Sequence, residues 1–295
     1  MVLVAGSTGF LGREICRRLR ARGIGVRALV RSSSDQAVVA ELRASGAETV
    51  IGDVKERASL DAACRGADTV ISTVTTTRSR APGDSLGSAD HEGQLSLVDA
   101  ARAAGVQRFV FVSFSRGISG EDALTVAKRE VEARVRESGM TFTILRPSYF
   151  MEVWLGPHLG FDAANATARV YGGGDNRISF ISRDDVAEFA VQALDNPAAT
   201  DATIELGGPE ALSPHQVIRI FEQAGGRPFE VQYVSEAALE AAQAGATDSL
   251  QRAFASLSLS YARGDAIPMD ATLRQFPIEL RGVQDYARTV LAGSV

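Results

Sequence analysis

The first twelve residues, Met1-Val-Leu-Val-Ala-Gly-Ser-Thr-Gly-Phe-Leu-Gly12, limit what this chain can fold into more than any other stretch. An apolar run, Val2 to Ala5, leads straight into Gly6, Gly9 and Gly12, and a helical stripe of Leu11, Ile15 and Leu19 follows. That order reads as a strand, a tight turn and a helix N-terminus. Gly6 lets the chain turn, Gly9 lets the backbone approach an anion, and Gly12 lets the helix pack close to the strand. The helix start presents unpaired N–H groups and the positive end of a dipole, which suits a pyrophosphate. A dinucleotide is therefore the expected ligand, held by Gly6, Ser7, Thr8, Gly9, Phe10, Leu11 and Gly12. The spacing G-x-x-G-x-x-G is one residue longer than the common G-x-G-x-x-G fingerprint, so the strand–turn–helix context carries much of the argument.

NAD-binding units usually carry an Asp or Glu about 20 residues past the glycines, on the ribose 2′-hydroxyl. Here the second strand ends in Arg31, Ser32 to Ser34 follow, and no carboxylate lies between Glu14 and Asp35. A guanidinium fork can donate two hydrogen bonds to phosphate oxygens. Arg31 is thus expected to face a 2′-phosphate, with Arg13 as a second positive charge, and the cofactor is expected to be NADP(H). The stretch through Arg31 holds seven arginines and one acid in a chain of net charge −5. Arg17, Arg18, Arg20 and Arg22 read as a solvated helix face.

A chain of 295 residues, 45% of them apolar, can bury one large α/β core or a core with a satellite. Its acidic balance gives no reason to expect nucleic acid or an anionic membrane surface. Cys16 and Cys64 fall on the apolar sides of helical patterns and read as small core residues in a reducing compartment. His91, His158 and His215 are scattered, without metal-ligand spacing. No basic segment precedes the first apolar run, and no run approaches the ~18 apolar residues of a membrane span. A cytoplasmic protein acting on a small molecule is expected. Nothing readable in the sequence encodes an oligomeric state.

The first half alternates strand and helix. Strands are expected at Val2–Ala5, Val26–Val30, Glu48–Ile51, Asp68–Thr73, Arg108–Ser113 and Phe142–Leu145. Gly23, Gly46, Gly66, Gly105 and Gly139 sit where helix C-caps want a left-handed residue. Short, nearly all-apolar strands fit a sheet covered on both faces. The fold class is α/β, a Rossmann-type, doubly wound parallel sheet with a smaller C-terminal α+β lobe. Residues 1–152 form the dinucleotide-binding domain, to which 178–206 are expected to return. Residues 153–177 and 207–295 form the substrate lobe. Arg177–Arg183 reads as a strand or extended segment, Asp184 and Asp185 as caps of a helix Val186–Leu194, Thr203–Leu206 as a last sheet strand, and Glu230–Val234 as a strand among short helices.

Ligands of such sheets bind outside the carboxyl ends of the strands. After the third strand, Asp53 and Val54 are placed at the adenine, with an N-cap role for Asp53 equally open. After the fourth, Thr73, Val74 and Thr75 lie beside the cofactor's middle and begin a long loop to Asp90. After the fifth, Ser113, Phe114 and Ser115 face the nicotinamide region, with Ser115 toward the substrate. A helix over Ala123–Ser138 carries Lys128, one of only two lysines; the other is Lys55. An ammonium there can hold ribose hydroxyls and charge a developing oxyanion, though a plain surface lysine fits the composition as well. After the sixth strand, Tyr149, Phe150 and Trp154 form an aromatic cluster. Tyr149 and Phe150 are read as cofactor contacts, Tyr149 and Trp154 as walls of a substrate pocket, and Phe150 also as a core staple.

Gly6-x-x-Gly9-x-x-Gly12, the Arg31 strand end, Gly52-Asp53, Leu97–Val106, Lys128, Thr143-x-x-Arg146-Pro147 and Asp185-Val-Ala187 together resemble the NmrA-like, atypical branch of the short-chain dehydrogenase/reductase superfamily. That branch includes relatives of isoflavone reductases and small quinone reductases, and the resemblance covers nearly the whole chain. In the isoflavone-reductase-like members a lysine at this site is catalytic, so the resemblance points to Lys128 as the catalytic group. Tyrosine-dependent members of the superfamily carry Tyr-x-x-x-Lys, whereas this chain has Leu124 four residues before Lys128, and none of its five tyrosines lies on that helix.

Two functions follow as expectations. One is an NADPH-dependent reductase that passes hydride to an acceptor needing little help with protonation, such as a quinone, an activated double bond or an imine. The other is a non-catalytic NADP(H)-binding redox sensor, the role of the family's founding member as a transcriptional co-regulator. The missing tyrosine favours the sensor, and the retained lysine, the second lobe and the aromatic wall favour the enzyme.

Overall fold

The computed structural model describes residues 1–77, 79 and 81–293. Its strands are β1 (Val2–Ala5), β2 (Val26–Val30), β3 (Glu48–Ile51), β4 (Thr69–Ser72), β5 (Arg108–Val112), β6 (Thr141–Pro147), β7 (Phe161–Asp162), β8 (Thr167–Tyr171), β9 (Ala202–Leu206) and β10 (Glu230–Val234). The α-helices are α1 (Phe10–Ala21), α2 (Gln36–Ala44), α3 (Arg57–Cys64), α4 (Gln94–Ala103), α5 (Ala123–Glu137), α6 (Met151–Trp154), α7 (Arg183–Gln192), α8 (Pro214–Gly225), α9 (Glu236–Ala244), α10 (Ser249–Arg263), α11 (Asp270–Gln275) and α12 (Val283–Leu291).

Seven strands form one sheet in the order β3-β2-β1-β4-β5-β6-β9. Pairing is parallel from β3 through β6. The order reverses at β1, which pairs β2 on one side and β4 on the other, so the crevice beyond the carboxyl end of β1 is the topological switch point. Side chains on β1 are buried on both faces, which is why the strand is apolar throughout rather than alternating. Leu3, Val70, Phe109, Phe111 and Ile144 from the sheet pack with Leu60, Leu97, Val98 and Val131 from its helices. Cys16 and Cys64 are fully buried, and desolvation pushes their thiols up to about 12 and 11. Both are unreactive core residues.

The chain divides into two units: Met1–Ser113 with Ala123–Arg146 and Val186–Ile204, and Phe114–Asp122 with Pro147–Asp185 and Glu205–Val295. The expected boundaries gave all of 1–152 and 178–206 to the first. The structure instead assigns Phe114–Asp122, residues 147–152, residues 178–185 and the end of β9 to the second. The second unit has its own core, built from Tyr149, Met151, Phe161, Val170, Phe180, Phe221, Tyr261 and Tyr286, and its own sheet, in which β8 pairs β10 in parallel and β7 antiparallel.

Two local expectations need correction, and a third, that 177–183 is a strand or extended segment, is met as extended chain. Asp184 and Asp185 do not cap a helix from outside. Helix α7 begins at Arg183, both aspartates lie in its first turn, and the Ser182 hydroxyl accepts the Asp185 N–H at 3.0 Å. Residues 177–183 are extended but form only isolated bridges, Ile178 to Leu212 and Asp265 and Ile181 to Phe150. The stretch expected as a long loop to Asp90 contains a π-helical run, Leu86–Gly93, that passes into α4. Ser85 and Ser88 cap its start reciprocally. Positions 78 and 80 of that stretch lie outside the described residues. Among the described residues no helix is long and apolar enough to cross a membrane.

Candidate active site

The glycine turn sits at the switch point with little room to spare. Gly6 has φ +79°, and a Cβ on it would lie 2.6 Å from the Thr73 hydroxyl at the end of β4. A Cβ on Gly12 would lie 2.1 Å from the Gly6 carbonyl oxygen, so the first turn of α1 rests directly on the loop. The buried Ser7 hydroxyl donates to the Leu29 carbonyl at 2.7 Å, fastening the loop to β2. Leu11 is buried under it, and Thr8 and Phe10 are partly exposed. Helix α1 follows Gly9 with no side-chain cap and no acidic residue in its first turn. A small-residue cradle and an uncapped twelve-residue helix suit a phosphate oxyanion, so the residues present fit a dinucleotide.

At the end of β2, Arg31 does not stand alone. Its Nη1 donates to Asp84 Oδ2 at 2.6 Å, and Lys55 Nζ donates to Asp84 Oδ1 at 2.6 Å. These bonds and one from Ser79 hold the nearly buried Asp84 carboxyl down to about 2. Arg13 faces Glu41 at 3.8 Å. Asp53 is not an N-cap: Glu56 precedes α3, and the Asp53 carboxylate accepts the Lys55 N–H at 3.0 Å. Val54 is a buried core residue. Thr73 donates to the Ala5 carbonyl at 3.2 Å, the Val74 carbonyl accepts from Gln94 at 3.0 Å, and Thr75 is exposed.

At the end of β5 the Ser113 hydroxyl turns to Glu132, at 2.6 Å. Lys128 is 5% exposed, in the interior rather than on a solvated face. Its Nζ donates to the Val112 carbonyl at 3.4 Å and lies 5.1 Å above the Phe111 ring. Burial pushes its pKa below the usual lysine value, while Asp90 and then Glu132 pull it back up. Ala5 registers with Ser72, and Ser72 with Phe111. The Lys128 ammonium therefore lies at the same carboxyl edge as the glycine turn, two strands or roughly 10 Å across the sheet. Leu124, where a tyrosine would stand, is buried.

Phe114, Ser115, Tyr149, Phe150 and Trp154 belong to the second unit. Trp154 stacks on Tyr261 with ring centroids 4.8 Å apart and 14° between planes, and Tyr149 meets both rings edge-on. Tyr149 is 2% exposed, and its hydroxyl reaches the Leu257 carbonyl at 3.3 Å. Burial and the nearby Asp265 charge push its phenol well above the ordinary value. Phe150 is partly buried and precedes α6. Ser115 and Ser148 each donate to Asp265 at 2.7 Å, so the Ser115 hydroxyl anchors its loop. Tyr261, Asp265, Asp84 and Asp90 were not singled out by the sequence. Asp84 and Asp90 fall in a stretch read as loop, and Tyr261 and Asp265 lie in the helical C-terminal region without a motif around them.

The NmrA-like family matches residues 1–287. An NAD(P)H azoreductase of Xenophilus azovorans is 32% identical over 247 residues, covering 83% of this chain and 80% of the relative. A (4-alkanoyl-5-oxo-2,5-dihydrofuran-3-yl)methyl phosphate reductase of Streptomyces griseus is 33% identical over 234 residues, covering 79% and 76%. Among solved structures, an NADPH-dependent quinone oxidoreductase of Escherichia coli in complex with NADPH superposes with a TM-score of 0.80 at 21% identity, covering 98% of this chain and 99% of that one. At that identity the likeness concerns the fold.

Proposed function

The chain belongs to the NmrA-like family, and on that premise we propose that it is an NADPH-dependent reductase that delivers hydride to a small electrophilic acceptor without an active-site tyrosine. The observation that carries this reading is Lys128, a buried ammonium at the sheet edge that also carries the glycine turn. When bound, the dihydronicotinamide supplies a hydride. Gly6 to Gly12 and the start of α1 hold the pyrophosphate through backbone N–H groups, and Arg31 and Lys55 supply charge for a 2′-phosphate. Lys128 orients ribose hydroxyls and stabilises negative charge on the reduced acceptor, and its lowered pKa eases proton release. Quinones, activated double bonds, imines and the azo group share the required chemistry, an electrophilic centre whose reduced anion is readily accommodated. The azoreductase and the furanone phosphate reductase among its relatives support this acceptor class.

The test is NADPH oxidation, followed by absorbance, against a panel of quinones, enones, imines and azo compounds. Lys128→Ala is expected to keep NADPH binding within a few-fold and to lower turnover by about 10²-fold, the scale of a lost acid–base group. Wild-type turnover in that variant removes any chemical role for Lys128. Tight NADPH binding with no turnover on any acceptor points instead to the redox sensor.

A further inference from the structure

Asp90 is an aspartate that the reductase reading does not use, and its surroundings are unusual. It is fully buried. Its Oδ2 accepts two hydrogen bonds from Thr76, at 2.9 Å from the backbone N–H and 2.5 Å from the hydroxyl. Its Oδ1 is buried and has no hydrogen-bond partner among the described residues. An ionised carboxylate offers roughly four acceptor positions, and leaving a buried one unmade is costly. Such a defect in a folded protein calls for a reason.

The backbone that holds Asp90 is equally uncommon. Residues 86–93 are π-helical, a conformation that is rare and concentrated at functional sites. The run is fixed at both ends. Ser85 and Ser88 cap its start. Gln94, just beyond its end, donates to the Val74 carbonyl at 3.0 Å and accepts from Ser72 at 2.7 Å. Gly93 packs so closely that a Cβ would lie 2.8 Å from Val54. The carboxylate is therefore placed by rigid supports, with one oxygen satisfied and the other left open.

Helix α5 packs against the π-helical run and carries Lys128, a buried ammonium with a long hydrogen bond, 3.4 Å to the Val112 carbonyl, and no carboxylate within 4.0 Å among the described residues. Three charged groups act on Lys128. Asp90, from the π-helical run, is the strongest attractive one. Glu132 and Arg129 stand on its own helix. Glu132 is already engaged by Arg129, Arg136 and Arg146, and β5 offers only the Val112 carbonyl and the Phe111 ring. Asp90 is thus the one of these carboxylates with an oxygen to spare.

We propose that Asp90 is the positioning residue for Lys128, its open Oδ1 taking the ammonium and fixing its orientation and charge at the sheet edge. The importance of this pair for turnover rests on the reductase reading; the pairing itself does not. Asp90→Asn is nearly isosteric and can still accept from Thr76, so it removes the charge while sparing the anchor.

With only two lysines in the chain, [13Cε]-lysine labelling gives two signals, which Lys55→Arg assigns. In the cofactor-free protein, Lys128 is expected to titrate about one pH unit or more lower in Asp90→Asn than in wild type, and the corresponding limb of the kcat/KM profile is expected to move with it. An unchanged Lys128 midpoint overturns the proposal. That readout needs no acceptor, so it stands apart from the Lys128→Ala turnover test: loss of the reductase reading leaves it in force, and its failure leaves the reductase reading intact. Should Asp90→Asn not fold, Lys128→Met serves. It removes the cation facing Asp90 while Lys128→Arg keeps one, so Lys128→Met is expected to melt well below Lys128→Arg at neutral pH. Equal Tm values for the two variants overturn the pairing.

Discussion

The Arg31 guanidinium and the Asp84 carboxylate meet at 2.6 Å at the end of the second strand, so the group best suited to a 2′-phosphate already holds an anion. Lys55 shares that anion at 2.6 Å. At the proposed position a 2′-phosphate would compete with Asp84 for both cations, whereas a 2′-hydroxyl would not.

If the 2′-phosphate binds where proposed, Asp84 is expected to hold down the ratio of NADPH to NADH affinity. Asp84→Asn is expected to raise that ratio about tenfold, which corresponds to about 1.4 kcal/mol, by releasing charge-assisted donors to the phosphate. Titration calorimetry with both nucleotides at fixed ionic strength measures it. A ratio equal to wild type would show that Arg31 and Lys55 do not read the 2′-position.

The glycine turn gives a second, purely steric prediction. Ala at position 12 places a Cβ 2.1 Å from a backbone oxygen that cannot move without displacing the loop. Gly12→Ala is expected to lower stability by about 1–3 kcal/mol and to abolish measurable NADPH binding. Gly23 also has a positive φ, +73°, but open space around it. Gly23→Ala is expected to cost about 1 kcal/mol of strain and to bind NADPH normally. Denaturant unfolding and nucleotide titration of the two variants separate backbone strain from loss of the cradle. Normal binding by Gly12→Ala would mean that the loop relaxes freely.

These residues also mark how far the sequence could be read. Strands β1, β2 and β3 begin and end where the sequence placed them. Their runs stop at glycine, arginine or the next turn; β1 and most of β2 are buried on both faces, while the edge strand β3 is partly exposed, with Ile51 at the surface, so there the turn punctuation rather than burial sets the limits. Lys128 stood out by composition, yet its burial depends on α5 packing against the π-helical run, and an i→i+5 helix has no apolar period distinct enough to read. The carboxylates at 84, 90 and 265 were missed for a shared reason. Each acquires its partners through folding: Asp84 meets Arg31 across 53 positions, Asp90 meets Thr76 across 14, and Asp265 meets Ser115 across 150. Arg31 was recognised by residue type at a strand end, but its occupant could not be known before Asp84 was placed. Trp154 was correctly grouped with Tyr149, while Tyr261, which stacks on it, comes from a helix over a hundred residues later.

Two buried carboxylates give stability profiles of opposite sign. Glu132, bound by three arginines and Ser113, has its pKa lowered from 4.5 to about 2. A depressed carboxyl stabilises the fold fully above its unfolded value, and that contribution is lost as pH falls from about 4.5 through 2. Asp185 is raised from 3.8 to about 6 because burial outweighs its bonds from Ser182 and the Arg281 N–H. A raised carboxyl favours the fold below the unfolded value, and that advantage disappears as pH rises through 6. Asp185→Asn removes the charge but keeps an acceptor for Arg281, so it is expected to raise Tm at pH 8 and leave it nearly unchanged at pH 4. Glu132→Gln is expected to lose about 3 kcal/mol at pH 7, since three arginines lose their anion, and to converge on wild type as pH approaches 2. Thermal unfolding of both variants across this range tests the assignments. Stabilisation of Asp185→Asn at pH 4 as large as at pH 8 would show that its charge is not the cause.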